Sequence, residues 1–289
     1  MLGVITTIQR MSISDGPGIR STLFLKGCNL RCKWCHNPET WSKRPQIEYV
    51  ETKCLKCGTC IDICPNGNFE IKSNKLLINR DNCMLCGKCV DACPGEALRM
   101  LGKRVDVDWV IKQFLRDEPF YKNSGGGITI SGGEPFMQYD FIKEILKACK
   151  EKGLDTGIET NLTTEKDKIE SLLPYVDHWM CDLKIFDSEL HKKWTGVTND
   201  KILENIAYLS SKTHLIVRTP VIPGVNDSVD ELRSINNFLT SLNNNIEHEF
   251  LEFHQLGYCK FEQLGMLNPM PDDIKPFKKD EFKNLIKNL

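Results

Sequence analysis

Residues 20–39 read RSTLFLKGCNLRCKWCHNPE: an apolar run of strand character, Arg20–Lys26, gives way at once to Cys28, Cys32 and Cys35, spaced x3 and then x2. Metal ligands set at the carboxyl end of a strand point to an α/β sheet with its chemistry along that edge. The chain carries 14 cysteines, and 11 of them fall between Cys28 and Cys93. A disulfide scaffold is the first explanation of such crowding, but those scaffolds are short and secreted. This chain has 289 residues. Its first ten residues lack the basic and apolar regions of an export signal. Metal binding is the better account.

Working outward, residues 54–65 (CLKCGTCIDICP) and 83–94 (CMLCGKCVDACP) agree at seven of twelve positions at an offset of 29. Each copy has the form Cys-x2-Cys-x2-Cys-x3-Cys-Pro of two-cluster bacterial ferredoxins, in which the fourth cysteine of a run ligates the other cluster. One 4Fe-4S cluster is thus assigned Cys54, Cys57, Cys60 and Cys93, and the second Cys83, Cys86, Cys89 and Cys64. Paired zinc ribbons also use Cys-x2-Cys, but zinc closes with four ligands and has no use for so dense a run. About residues 47–101 form the insert, too small to bury much apolar area, so ligation has to supply part of its folding free energy.

Outside the insert, strands are expected at Arg20–Lys26, Gly127–Ser131, Leu154–Glu159, Val176–Asp182, His214–Thr219 and Ile246–Phe253. Helical apolar spacing falls between them, at Tyr139–Lys152, Thr164–Leu173, Lys201–Ser211 and Val229–Leu242. Right-handed crossovers of this kind give a partial (β/α)6 barrel built from 1–46 and 102–289. The formal charge, 38 basic against 39 acidic residues, is −1, which excludes a polybasic nucleic-acid binder. No apolar run reaches the ~18 residues of a membrane span. A cytoplasmic, globular protein is the expectation.

After the ferredoxin runs take eight cysteines, three are left near the amino terminus. Three thiolates on a cubane leave one iron without a protein ligand, and an open position makes a metal centre reactive. Cys181, alternating with Met180 and Asp182, should face the outer helices, and Cys149 sits on a helix beside lysine. Position alone does not exclude Cys259 as a fourth ligand.

The Cys28-x3-Cys32-x2-Cys35 triad resembles the signature of radical S-adenosylmethionine (SAM) enzymes. Together, SISDGPGIRSTLFLKGCNLRCKWCHNPE at 12–39, the ferredoxin insert, ISGGEP at 130–135, CDLK at 181–184 and HQLGYCKFEQLG at 254–265 resemble the glycyl radical enzyme activating enzymes. The likeness is to the ferredoxin-containing type rather than the shorter pyruvate formate-lyase activase, and it spans residues 12 to about 265. It implies three 4Fe-4S clusters, one of which binds SAM at its open iron. It further implies reductive SAM cleavage, and abstraction of a hydrogen atom from a backbone glycine of a partner glycyl radical enzyme. Flavodoxin or ferredoxin is implied as electron donor; no nucleic acid or membrane is.

Each remaining motif closes an expected strand. The resemblance lays Trp34 and His36 along the adenosyl portion of the cofactor, although Trp34 also suits plain core packing. Gly132, Gly133 and Glu134 are implied to hold the methionyl ammonium, the glycines permitting close backbone approach. Asp182 and Lys184 share one face and are implied to contact SAM or the incoming polypeptide, against the alternative of a surface ion pair. Arg218 is a candidate planar fork for the cofactor carboxylate, and His254 for the ribose or adenine side. Glu159-Thr160-Asn161 stands where the pyruvate formate-lyase activase has Asp-Thr-Asn around a monovalent cation. Two rival functions share parts of this pattern: a radical SAM enzyme for a small molecule, and a ferredoxin-type electron carrier.

Overall fold

Strand-forming residues run in register along one long sheet from the second residue of the chain. The computed structural model describes residues 1–242 and 245–289. β1 (Leu2–Ser12) and β2 (Arg20–Leu25) pair antiparallel, Ile5 opposite Leu25. The insert then contributes β3 (Gln46–Tyr49), β4 (Phe69–Lys72), β5 (Lys75–Ile78) and β6 (Leu98–Leu101). The chain returns to the main sheet with β7 (Lys103–Asp106), antiparallel to β1. The parallel strands β8 (Gly127–Gly132), β9 (Thr156–Thr160), β10 (His178–Asp182), β11 (Leu215–Val221) and β12 (Ile246–Glu252) complete it.

The order is β12-β11-β10-β9-β8-β2-β1-β7, so six parallel strands follow one another as a partial (β/α)6 barrel, with two antiparallel strands added at one edge. The six expected strands lie within two residues of these. β1 and β7 lie outside the sequence expectation, because Thr6, Thr7, Gln9 and Arg10 dilute the apolar alternation of β1, and β7 is only four residues long. Helices Val107–Leu115, Glu118–Ser124 and Ser188–Thr195 are likewise additions. The main core packs Leu23, Ile128, Ile158, Trp179 and Val217 of the sheet with Ile142, Ile145, Ile206 and Ile235 of the helices. Cys149 and Cys181 are buried in that core, on the helix side, as small apolar residues.

The insert is a two-fold repeat beyond its cysteines. β3 pairs with β6 and β4 with β5, both antiparallel. The offset of 29 that relates the runs also carries β3 onto β5 and β4 onto β6. Left-handed residues recur in step: Lys56 and Leu85, Gly58 and Gly87, Gly67 and Glu96. Its core of fully covered apolar side chains is small: Ile47, Phe69, Leu76, Cys89 and Leu98. No described helix is long and apolar enough to cross a membrane.

Candidate functional site

At the carboxyl ends of the parallel strands lies a cleft of about 300 Å³. Cys28, Cys32 and Cys35 form one wall, and Gly132 and Gly133, Thr160 and Asn161, Asp182 and Lys184, and Phe253 and His254 line the others. This is where a parallel sheet leaves strand ends and loops free to converge.

The cysteine loop is held by its neighbours. Gly27 N–H donates to the Thr40 carbonyl (2.7 Å), Glu134 N–H to the Gly27 carbonyl (2.7 Å) and Gly133 N–H to the Leu25 carbonyl (3.0 Å). Backbones approach so closely that a Cβ on Gly132, whose φ is +114°, would stand 2.2 Å from Leu25 N, and one on Gly133 2.2 Å from the Gly27 oxygen. Both positions require glycine for packing as well as for access to the cleft. Lys26, fully buried, donates to the Glu39 carbonyl and to Gln46 Oε1 (3.0 Å), tying the loop to the start of the insert. Burial pulls the Lys26 ammonium down to about 8, against the opposing field of Glu39.

Burial pushes the Cys28 thiol up to about 12, with Glu134 adding to the shift, and raises Cys32 and Cys35 as well. As free groups all three hold their protons. Two of the sulfurs nevertheless face donors suited to thiolates: Leu30 N–H toward Cys28, and Asn37 N–H (3.4 Å) and the Trp41 indole toward Cys35. Desolvated thiols, two of them facing N–H donors, fit iron ligation, which replaces each proton with metal charge. Lys184 donates to Asp182 Oδ2 at 2.8 Å, with both side chains half-buried. Burial opposes its charge, but Asp182 outweighs this and holds Lys184 above the ordinary lysine value.

The remaining expected residues divide into those facing the cleft and those behind it. Trp34 lines the cleft and is also 5% exposed core, packed 6.4 Å from Trp194 between ring centroids. His36 and His254 stack at 4.0 Å, and His36 Nε2–H donates to the His254 carbonyl at 2.7 Å. Glu134 does not line the cleft: its fully buried carboxylate accepts from Thr160 Oγ1 (2.8 Å), Asn161 N–H (2.8 Å) and Phe136 N–H (3.1 Å). Arg218 also lies outside the lining, donating to Glu249 (2.8 Å), Glu159 (2.9 Å) and the Ser14 carbonyl (2.8 Å). Glu159, which does line the cleft, therefore already has a cationic partner.

Asn161 lines the cleft, and its partner Asn29 is a neighbouring group that the sequence does not single out. Asn161 Nδ2 donates to Asn29 Oδ1 at 3.0 Å and reaches to 4.0 Å from Cys28 Sγ. The signal for Asn29 is its place directly after Cys28. Cys259 is exposed and absent from the cleft, lying instead beside the insert with Tyr49 and Arg80.

In the insert, the cysteines sort into two small cavities. One is lined by Cys54, Cys57, Cys60 and Cys93, the other by Cys64, Cys83, Cys86 and Cys89. Each set takes three thiols from one run and the fourth from its partner. Ala97 N–H points to Cys93 Sγ (3.3 Å) and Asn68 N–H to Cys64 Sγ (3.4 Å), the same bond in both halves.

A family model described as the radical SAM superfamily matches residues 101–235, and one described as a 4Fe-4S dicluster domain matches 46–94. The (2S)-3-sulfopropanediol dehydratase activating enzyme of Klebsiella oxytoca is 41% identical over 272 residues, 91% of this chain and 86% of the relative. The choline trimethylamine-lyase activating enzyme of Oleidesulfovibrio alaskensis is 38% identical over 274 residues, 92% of this chain and 88% of the relative. Among solved structures, Streptococcus suis SuiB bound to precursor peptide SuiA aligns with TM-score 0.52 at 18% identity, over 90% of this chain and 42% of that one, a likeness of fold alone. With a triad cleft, a dicluster insert and relatives matched nearly end to end, the chain belongs to the glycyl radical enzyme activating enzymes of the radical SAM superfamily.

Proposed function

We propose that the cysteine-walled cleft is where this radical SAM oxidoreductase performs its reaction, reductive cleavage of SAM followed by hydrogen abstraction from a backbone glycine of a partner glycyl radical enzyme. The observation that carries this assignment is that Cys28, Cys32 and Cys35 and the Gly132–Gly133 backbone line one and the same cleft. Cys28, Cys32 and Cys35 are the proposed ligands of a 4Fe-4S cluster with one open iron. When bound, that cluster supplies the electron that splits SAM into methionine and a 5′-deoxyadenosyl radical.

The chain's own residues position and shield. Gly132 and Gly133 offer backbone to the methionyl ammonium, and the Lys184 ammonium offers charge to its carboxylate. Asp182 keeps Lys184 extended toward the cleft. Trp34 and the stacked pair His36 and His254 supply apolar and ring surface for the adenosyl group. Glu134 and Arg218 act from behind the wall: Glu134 fixes the glycine turn against Thr160 and Asn161, and Arg218 neutralises Glu159. Phe253, Leu30 and Ile222 narrow the cleft and limit water around a reactive alkyl radical.

In the same reading, residues 47–101 are an inserted unit within a barrel of 1–46 and 102–289. It holds two further clusters, making three, which relay electrons from an external flavodoxin or ferredoxin. The unpaired cysteines suit a reducing cytoplasm. The test is anaerobic incubation of reconstituted enzyme with SAM, reductant and candidate partner enzymes. A glycyl radical doublet by electron paramagnetic resonance, with 5′-deoxyadenosine released by the parent and not by Cys32→Ala, is expected. Reconstituted parent that releases no 5′-deoxyadenosine overturns the assignment.

A further inference from the structure

Between the insert and the barrel edge runs a groove of about 620 Å³ that the reaction does not use. Its rim carries Lys43, Arg44 and Arg104, all exposed, and its floor includes Met84, Leu85 and Met100. No acidic residue lines it. Among the described residues none of these three cations is drawn into an ion pair, unlike exposed Lys122, which holds Glu118 at 2.7 Å. On a chain whose net charge is −1, this is a local positive field around an apolar strip.

The groove's floor is also the wall of a cysteine cavity. Met84 and Leu85 line both the groove and the cavity of Cys64, Cys83, Cys86 and Cys89. Met84 is 62% exposed, and Cys86 of the same run is exposed too. Electron transfer slows steeply with distance, so a protein donor has to dock where a centre lies within a side chain of the surface. An apolar contact ringed by one sign of charge suits brief, oriented encounters, in which charge sets the association rate.

We propose that this groove is the docking surface for an acidic one-electron carrier protein, which delivers its electron at the Cys64, Cys83, Cys86 and Cys89 site. The inference rests on the relay reading above and names the face and the charge of the donor. One electron leaves the carrier, which is oxidised by one unit, and one electron is taken up by the enzyme; no bond is made or broken.

The test uses the reconstituted full chain and an acidic flavodoxin as probe. Binding of the oxidised flavodoxin is followed by flavin fluorescence anisotropy, for the parent and for Arg44→Glu/Arg104→Glu, at low and high salt. The double variant should bind at least about tenfold more weakly at low salt, the gap closing at high salt as charges are screened. Its rate of SAM cleavage should fall comparably with reduced flavodoxin and stay at the parent's value with dithionite. Equal flavodoxin affinity for parent and variant overturns the proposal. So does an equal loss of rate with both reductants, which would mark the groove as a contact for the glycyl radical enzyme or as a folding element. Matched cluster absorbance per chain checks that the variant is intact. If the parent cleaves no SAM even with dithionite, the reaction assignment fails, separately from the docking surface.

Discussion

Replacing Arg218 with Met separates a cofactor ligand from a structural counter-charge. Arg218 is 8% exposed and makes three hydrogen bonds of 2.8–2.9 Å, to Glu249, Glu159 and the Ser14 carbonyl. Breaking a buried ion pair from one side costs about 3–5 kcal/mol, whereas a surface pair is worth about 0–1. The Glu159 and Glu249 side chains keep 26% and 36% of their exposure, which discounts the buried figure. A loss of about 2–3 kcal/mol follows, or about 4–10 °C in an anaerobic melt at fixed scan rate. Its pH dependence has a definite sign. Burial, with Asp182, raises Glu159 above the ordinary carboxylate value, while Arg218 and Ser131 oppose this. Without Arg218 the folded-state value climbs further, so the folded form binds more protons than the unfolded form. Stability of the variant then falls as pH rises through that value, and the deficit is larger in mild base than in mild acid. Adding Glu159→Gln should recover much of the loss, because the orphaned charge is gone. SAM affinity should change far less than stability. A variant that melts with the parent but has lost SAM binding would refute this reasoning and restore Arg218 as a cofactor ligand.

Cys93→Ala should lower iron by about four atoms per chain and remove the cluster of the first run, although Cys93 belongs to the second; loss of the other cluster would contradict the crossed partition. Cys259→Ala should leave iron content and the spectrum of the SAM-binding cluster unchanged, since that thiol lies outside the cleft. Gly257→Ala places a Cβ 2.5 Å from His36 Cα and should raise the KM for SAM severalfold, with iron content retained as the control. Glu134→Ala orphans three buried donors at about 1–3 kcal/mol each and should melt well below the parent. Burial pushes Glu134 up to about 7, so its protonation favours the folded state and its contribution falls as pH rises from 4.5 toward 7, a slope that Glu134→Gln should flatten.

What could be read from the chain was what has a period or a fixed spacing. The parallel strands announce themselves by short apolar runs, and the ferredoxin unit by an offset of 29 that the cavities then respect. β1 was hidden because Thr6, Thr7, Gln9 and Arg10 break its apolar alternation on both faces and one of its partners, β7, lies beyond the insert. Within the site, cysteines and glycines were legible because their chemistry is unambiguous. Glu134 and Arg218 were not: nothing local distinguishes a charge aimed into a cleft from one folded back on a neighbouring strand. Both use side-chain partners distant in sequence, such as Thr160 for Glu134 and Glu159 for Arg218. Asn29 gains meaning only through Asn161, which stands 132 residues away.

The pairing of Gln46 with Leu101 means that the chain departs from the barrel and rejoins it at almost one point. Such cross-strand neighbours sit about 5 Å apart, little more than the ~3.8 Å between consecutive residues. A Cβ on Gly102 would stand 3.0 Å from Pro45 Cα, so the two stumps already touch. To the barrel, the whole iron-bearing cassette is a detour of no net displacement. A polypeptide spliced from Pro45 to Gly102 would have no gap to bridge, and a lineage could gain or shed the whole cassette without re-engineering the scaffold around it.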